Sequence, residues 1–69
     1  MFDMRSTLFY LVATYEDEQF FISCPDDNLE NWELSKNVYY FNTYKDALAV
    51  IALVKNSENA PKTIQVLSY

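Results

Sequence analysis

The feature that most constrains the fold of this 69-residue chain is one uninterrupted apolar run, Ala47 to Val54. Thr43 lies before the run, and Asp46 follows it three residues later, which is a capping box with Asp in place of Glu or Gln. Asn56 follows the run and tolerates the left-handed backbone that stops many helices. The alanines and the length favour a helix over a buried strand, so we predict one helix over about residues 43–56.

This helix has more apolar surface than one sheet covers. The spacing i, i+3, i+4, i+7 predicts which side chains face the sheet, namely Tyr44, Ala47, Leu48, Ile51 and Val54. Three further apolar residues fall on the predicted solvent side: Ala49, Ala52 and Leu53. Either another element covers that side or it is a contact surface.

The other elements are predicted strands. Residues 7–15 are apolar on both faces, as in a strand near the centre of a sheet, and residues 19–24 return after a polar hairpin turn. Pro25 ends the second strand. Residues 31–34 form either a short strand or one helical turn, and we favour the strand. Residues 37–41 are extended and lead into the helix, and residues 63–69 form the last strand.

The predicted fold is therefore α+β, a single domain over residues 1–69 with a βββαβ order and an antiparallel-rich sheet on one helix. Strand order and the direction of the last strand stay open. One helix cannot cover both faces of the sheet, so the uncovered apolar area predicts a partner, most simply a second copy. The candidate dimer-interface residues are Tyr10, Val12 and Phe21 on the sheet and Ala49 and Leu53 on the helix.

Composition excludes several kinds of site. The chain has no histidine and one cysteine, Cys24, so an internal disulfide, a Cys–His zinc site and a histidine-based triad are impossible. Glycine is absent, which excludes phosphate-binding glycine loops and leaves Asn or Asp for any turn with positive φ. The lone thiol and the lack of a leader or membrane-length segment predict a soluble, cytoplasmic protein.

Negative charge is concentrated in the first half of the chain. No basic residue lies between Arg5 and Lys36, and the acidic residues of that interval are Glu16, Asp17, Glu18, Asp26, Asp27, Glu30 and Glu33. This distribution disfavours nucleic acid and anionic membranes as direct ligands and favours a basic protein surface.

The carboxylates have several interpretations. They lack the alternating ligands and the glycine turn of a calcium loop, so we predict no metal, no cofactor and no catalytic residue. They form either an ordinary solvated surface or a patch that imitates the phosphates of nucleic acid.

Trp32 is either a lid on the core or an interface anchor. Cys24 is predicted to be a small buried hydrophobic residue.

The segment Trp32-x-Leu34-x-x-x-Val38-x-x-Phe41-x-Thr43-x-x-x-Ala47 resembles a pattern in small orphan proteins of phages and prophages of Gram-positive bacteria. Tyr10-Leu11-Val12 matches the opening strand of that pattern, and Val38 replaces its usual alanine. The resemblance covers most of the chain and implies the fold and a phage origin. It also implies membership of a class rich in inhibitors of host enzymes, anti-CRISPR proteins among them.

We therefore expect a non-catalytic interaction protein in the host bacterial cytoplasm whose acidic loops bind a basic, nucleic-acid-handling host protein. The expected contact residues are Glu16, Asp17, Glu18, Asp26, Asp27, Glu30, Trp32 and Glu33. The alternative is a homodimeric structural or regulatory accessory protein that uses an exposed apolar face. A small enzyme is the third hypothesis, and it requires a cleft with paired carboxylates.

Overall fold

The structure, a computed structural model, describes residues 7–69. Its elements are β1 (Phe9–Thr14), β2 (Gln19–Ser23), β3 (Glu33–Ser35), α1 (Tyr44–Lys55) and β4 (Thr63–Ser68). One helix and one four-stranded antiparallel sheet confirm the predicted α+β class and the βββαβ order. The short β3 confirms a strand in the segment where a helical turn was the alternative.

The strand order in the sheet is β3-β2-β1-β4, so β1 is an inner strand as its apolar faces predict. β4 returns antiparallel to β1, with Leu11 opposite Val66. The chain therefore passes from one edge of the sheet to the other through α1, which resolves the direction that the sequence left open.

Hydrogen bonds at the two ends of β1 show to which neighbouring strand the backbone groups of each residue bond. The Tyr15 N–H donates to the Glu18 carbonyl at 2.8 Å, and the Tyr69 N–H donates to the Leu8 carbonyl at 2.8 Å. Bonding direction alternates along an antiparallel strand, so odd-numbered residues of β1 bond towards β2 and even-numbered ones towards β4.

The core lies between α1 and one face of the sheet. The sheet side contributes Leu11, Ala13, Ile22 and Cys24, and the helix side contributes Phe41, Ala47, Val50 and Val54. Burial of Cys24 confirms that it packs as a small hydrophobic residue.

The predicted buried stripe of α1 is partly wrong. Tyr44 and Leu48 are 51% and 44% exposed, whereas Val50 is fully buried. Because the run from Ala47 to Val54 is apolar all round, its pattern did not fix how the helix is rotated. Tyr44 instead lies at the edge of the core, with its ring 5.6 Å from that of Phe9.

The two ends of α1 differ in how well the sequence predicted them. Thr43 is the N-cap, and its Oγ1 accepts a hydrogen bond from the Asp46 N–H at 3.0 Å, as predicted. The left-handed stop at Asn56 is wrong, because Asn56 has φ −92° and ψ 4°. The Ser57 hydroxyl donates to the Val54 carbonyl at 2.6 Å and satisfies that end of the helix.

Candidate functional site

A tight turn directly after β2 directs the chain away from β1. The candidate site forms next to this turn. The Asp27 N–H donates to the Cys24 carbonyl at 2.8 Å, and Pro25 takes the second position of this turn, where its fixed φ fits. Within residues 7–69, Asp27 has the one positive φ, at 58°. In a chain without glycine this left-handed position falls to an aspartate rather than to any of the asparagines.

Because of this turn, β2 does not pair with the first residues of β1. Phe41 pairs with Phe9 there instead. The Phe9 N–H donates to the Phe41 carbonyl at 3.0 Å, and the Phe41 N–H donates to the Phe9 carbonyl at 2.7 Å. This bridge places residues 38–42 and the first turn of α1 next to the loop that follows β2. The sequence predicted an extended segment here but gave no signal for its partner.

Polar contacts within the loop hold its carboxylates outward. The Asn28 Oδ1 accepts a hydrogen bond from the Glu30 N–H at 3.0 Å, and the Asn31 Nδ2 donates to the Asp26 carboxylate at 3.3 Å. Asp26 and Glu30 are both exposed. The loop therefore presents charge to solvent from a defined backbone conformation.

The structure does not bring the two predicted acidic segments together. The segment of Glu16, Asp17 and Glu18 precedes β2, whereas the segment that begins at Asp26 follows it. The five residues of β2 separate them by roughly 17 Å at about 3.3 Å per residue. The predicted contact residues therefore form two groups at opposite ends of the sheet.

The end that contains the β1–β2 turn is close to charge balance. The Lys36 Nζ lies 3.7 Å from the Glu18 carboxylate and 4.3 Å from the centre of the Phe20 ring. The helix ends at Lys55 and β4 begins after Lys62, and both lysines lie at this end because α1 and β4 run antiparallel to each other across the sheet.

The opposite end, which we call the acidic end, carries Asp26, Asp27, Glu30, Glu33 and Asp46. Lys45 is the one basic residue that the described part of the chain places there. Asp46 was not among the predicted contact residues. Its capping spacing to Thr43 is visible in the sequence, but its position at the same end of the sheet as Asp27 depends on the Phe9–Phe41 bridge.

A groove of about 560 Å³ lies at the acidic end, between the loop after β2, residues 38–42 and the first turn of α1. Asp27 and Asp46 both line it, together with Leu29, Tyr39 and Tyr40. The Tyr39 hydroxyl donates to the Asp27 carboxylate at 2.8 Å, and its ring stacks edge-on against Phe41 at 4.9 Å. The groove thus combines two carboxylates with aromatic walls.

Burial raises the pKa of Tyr39 to about 12, with a further contribution from its hydrogen bond to Asp27. Burial also raises the pKa of the Cys24 thiol, and the charge of Asp27 adds to that effect. Both groups therefore stay protonated at neutral pH, and neither is an activated nucleophile.

Trp32 and Glu33 follow the loop into β3. Trp32 is half-buried and packs against the core, so it covers one end of the core as a lid. Glu33 begins β3 and is exposed. The role of Trp32 as an interface anchor stays a prediction.

The predicted dimer-interface residues fall on two opposite surfaces. Tyr10, Val12 and Phe21 lie on the sheet face that α1 does not cover, where ring contacts of 5.2–6.0 Å link Phe21, Tyr10, Tyr40 and Tyr69 in that order. Ala49 and Leu53 are exposed on the outer side of α1. A single flat interface cannot contain both sets.

Among residues 7–69, no three His, Cys, Asp or Glu side chains gather in a way that could hold a metal ion. Within the same residues, no helix has the length and apolar character needed to cross a membrane.

Comparisons with known proteins found no matching family model, no matching curated protein and no matching solved structure.

Proposed function

We propose that this chain is a non-catalytic protein-binding domain whose acidic end binds a basic surface on another protein. The observation that carries the proposal is the separation of charge between the two ends of the sheet. Asp26, Asp27, Glu30, Glu33 and Asp46 share one end with a single described lysine, whereas the other end is nearly balanced. Such an uneven field attracts a basic surface and orients it on one end of the molecule.

The groove adds a geometric reason for a cationic partner. Asp27 from the loop after β2 and Asp46 from the first turn of α1 both line the groove, and Tyr39 lines it with them. A lysine or arginine side chain that entered the groove would meet both carboxylates and an aromatic surface.

The partner class we propose is a protein that handles nucleic acid. The basic surface of such a protein is built to meet closely spaced phosphates, and exposed carboxylates at the acidic end would occupy the same contacts. The resemblance to phage and prophage proteins extends this proposal to a host enzyme inhibited in the bacterial cytoplasm by occlusion of its nucleic-acid channel.

Charge reversal at the acidic end tests the proposal. We expect the double variant Asp26→Lys/Glu30→Lys to lose at least tenfold in affinity for a basic nucleic-acid-binding partner isolated on the wild-type chain, because it replaces attraction with repulsion at two exposed sites. The wild-type complex should weaken steeply with added salt and should be displaced by double-stranded DNA. Titration calorimetry or biolayer interferometry measures both effects.

The β1–β2 turn offers a matched control. The double variant Glu16→Lys/Asp17→Lys makes the same change in net charge at the other end of the sheet, and we expect its affinity to stay within about threefold of the wild type. Equal losses in the two double variants would show that net charge alone governs binding, and they would remove the acidic end from the proposal.

A second candidate function is a homodimeric structural or regulatory accessory protein. The uncovered aromatic face of the sheet favours it, because Tyr10, Phe21, Tyr40 and Tyr69 form a continuous set of rings next to the exposed Leu67. Monomeric proteins seldom leave an apolar surface of this kind without a partner.

A further inference from the structure

We infer that a second copy of this chain pairs along the outer edge of β4, so that two four-stranded sheets join into one continuous sheet. This inference makes the homodimer candidate specific, and it does not depend on the acidic end binding a basic partner. β4 is an edge strand, and no strand within residues 7–69 lies beyond it.

The bonding direction of β4 leaves a complete set of backbone groups facing outward. The Tyr69 N–H bonds to the Leu8 carbonyl, on the β1 side. Because bonding direction alternates along an antiparallel strand, the backbone groups of residues 65 and 67 also point towards β1. The N–H and C=O groups of Ile64, Val66 and Ser68 therefore point away from the sheet. No residue of 7–69 pairs with these groups, and an edge of this kind is a template for another strand.

The side chains of β4 do nothing to block such pairing. Its sequence, T-I-Q-V-L-S, has no charge and no proline. The opposite edge differs, because β3 has three residues, includes Glu33 and is followed directly by Lys36. Charged side chains and short length are the usual protection of an edge strand, so β3 is protected and β4 is not.

The outward groups of β4 are complementary to themselves. When two copies pair antiparallel with Val66 opposite Val66, Ile64 of each copy lies opposite Ser68 of the other. All outward N–H and C=O groups of these three residues then find partners across a two-fold axis. This register also places Leu67, which is 37% exposed, opposite Gln65 of the second copy on the aromatic face.

The charge distribution favours the same antiparallel arrangement. β4 begins at the nearly balanced end of the sheet and finishes at the acidic end. Antiparallel pairing therefore sets the acidic end of one copy beside the balanced end of the other. The two strongly negative ends stay at opposite poles of the dimer, where screening removes most of their repulsion.

Analytical ultracentrifugation over a range of protein concentrations tests the inference. We expect a concentration-dependent dimer that Ser68→Pro weakens by about tenfold or more, because proline removes an outward N–H from each copy. Ser68→Ala keeps that N–H and should leave the dimer within about threefold of the wild type. Circular dichroism of both variants checks that the fold is unchanged.

Two further results would overturn the inference. A wild-type chain that stays monomeric at every concentration would do so, and so would a dimer lost with Leu53→Glu but kept with Ser68→Pro, because that pattern places the contact on α1. Asp26→Lys/Glu30→Lys should leave the dimer intact, which separates this contact from binding of a basic partner.

Hydrogen exchange of the wild-type chain provides a test without substitutions. The amides of Ile64, Val66 and Ser68 should become protected as concentration rises through the dimerisation range, while their protection stays low in the monomer. Fast exchange at these three amides in a sample that sediments as a dimer would exclude the β4 edge.

Discussion

Asp27 links the backbone, the groove and the charge of the acidic end. Its backbone has the positive φ of the turn after β2. Its carboxylate accepts a hydrogen bond from the Tyr39 hydroxyl and lines the groove. Because one residue has three roles, substitution of Asp27 would alter all of them together. Tyr39 is the better position at which to test the contact, since its ring can stay while its hydroxyl is removed.

We predict that Tyr39 makes stability fall at high pH. Its pKa is raised to about 12 in the folded chain from an ordinary value of 10, so the unfolded chain ionises first as the pH rises. The stabilisation is complete below pH 10 and is lost between about pH 10 and pH 12. Thermal unfolding measured across this range should show a smaller fall in Tyr39→Phe than in the wild type.

Absorbance titration at the phenolate band provides the matched check. Tyr39→Phe should lose the component that ionises near pH 12, and Tyr69→Phe, which removes a hydroxyl from a ring that is 81% exposed, should keep it. A component near pH 12 that persists in Tyr39→Phe would assign the raised pKa to another tyrosine.

The rotation of α1 is decided by packing rather than by sequence pattern. Ala47, Val50 and Val54 are buried against the sheet, whereas Leu48, which the spacing placed in the stripe, is 44% exposed. Val50 and Leu48 are both apolar, and each fits an apolar face of the helix. The small side chain of Ala47 and the side chains of Val50 and Val54 share one buried cluster with Leu11 and Ala13 of β1, so close packing selects this face of the helix.

We therefore predict that Val50→Ala destabilises the chain by about 2 kcal/mol, because it removes two buried methyl groups and leaves a cavity. Leu48→Ala should change stability by less than about 0.5 kcal/mol, although it removes a larger side chain. Urea denaturation followed by circular dichroism measures both. A larger loss in Leu48→Ala would restore the stripe expected from the spacing.

The elements were predictable because local signals specify them. The Thr43 cap, Pro25 and the continuous apolar run of β1, apolar on both faces, indicated the type and order of the elements. The candidate site was less predictable, because it depends on long-range placement. Nothing local in the sequence pairs Phe41 with Phe9 or places Asp46 and Asp27 on one groove, and nothing in the charge run shows that β2 divides it.

At the scale of the whole molecule, the distribution of charge matters more than its total. The formal net charge is −5, and most of it lies at the acidic end, where carboxylates of like charge repel one another. Repulsion of this kind costs stability in the free protein and is relieved by salt or by a cationic partner.

We predict that raising NaCl from about 20 mM to about 500 mM increases the free energy of unfolding by roughly 0.5 kcal/mol. Asp26→Asn/Glu30→Gln should be more stable than the wild type at low salt and should gain less from added salt. Chemical denaturation at the two salt concentrations measures these differences.

The equivalent neutral change at the other end of the sheet is the control. Glu16→Gln/Asp17→Asn alters net charge by the same amount but acts where lysines already lie nearby, so its salt response should match that of the wild type. Identical responses in the two double variants would mean that the carboxylates of the acidic end do not interact.

Pro25 decides how wide the sheet is at the acidic end. Because the turn that starts at Cys24 directs the chain away from β1, a single residue from the far half of the sequence occupies the vacated backbone groups of Phe9. Two more residues of β2 would displace Phe41 and close the space between the loop and α1. The depth of the concavity therefore follows from the early end of β2, and a longer β2 would flatten it by displacing Phe41, which is one of the residues that line it.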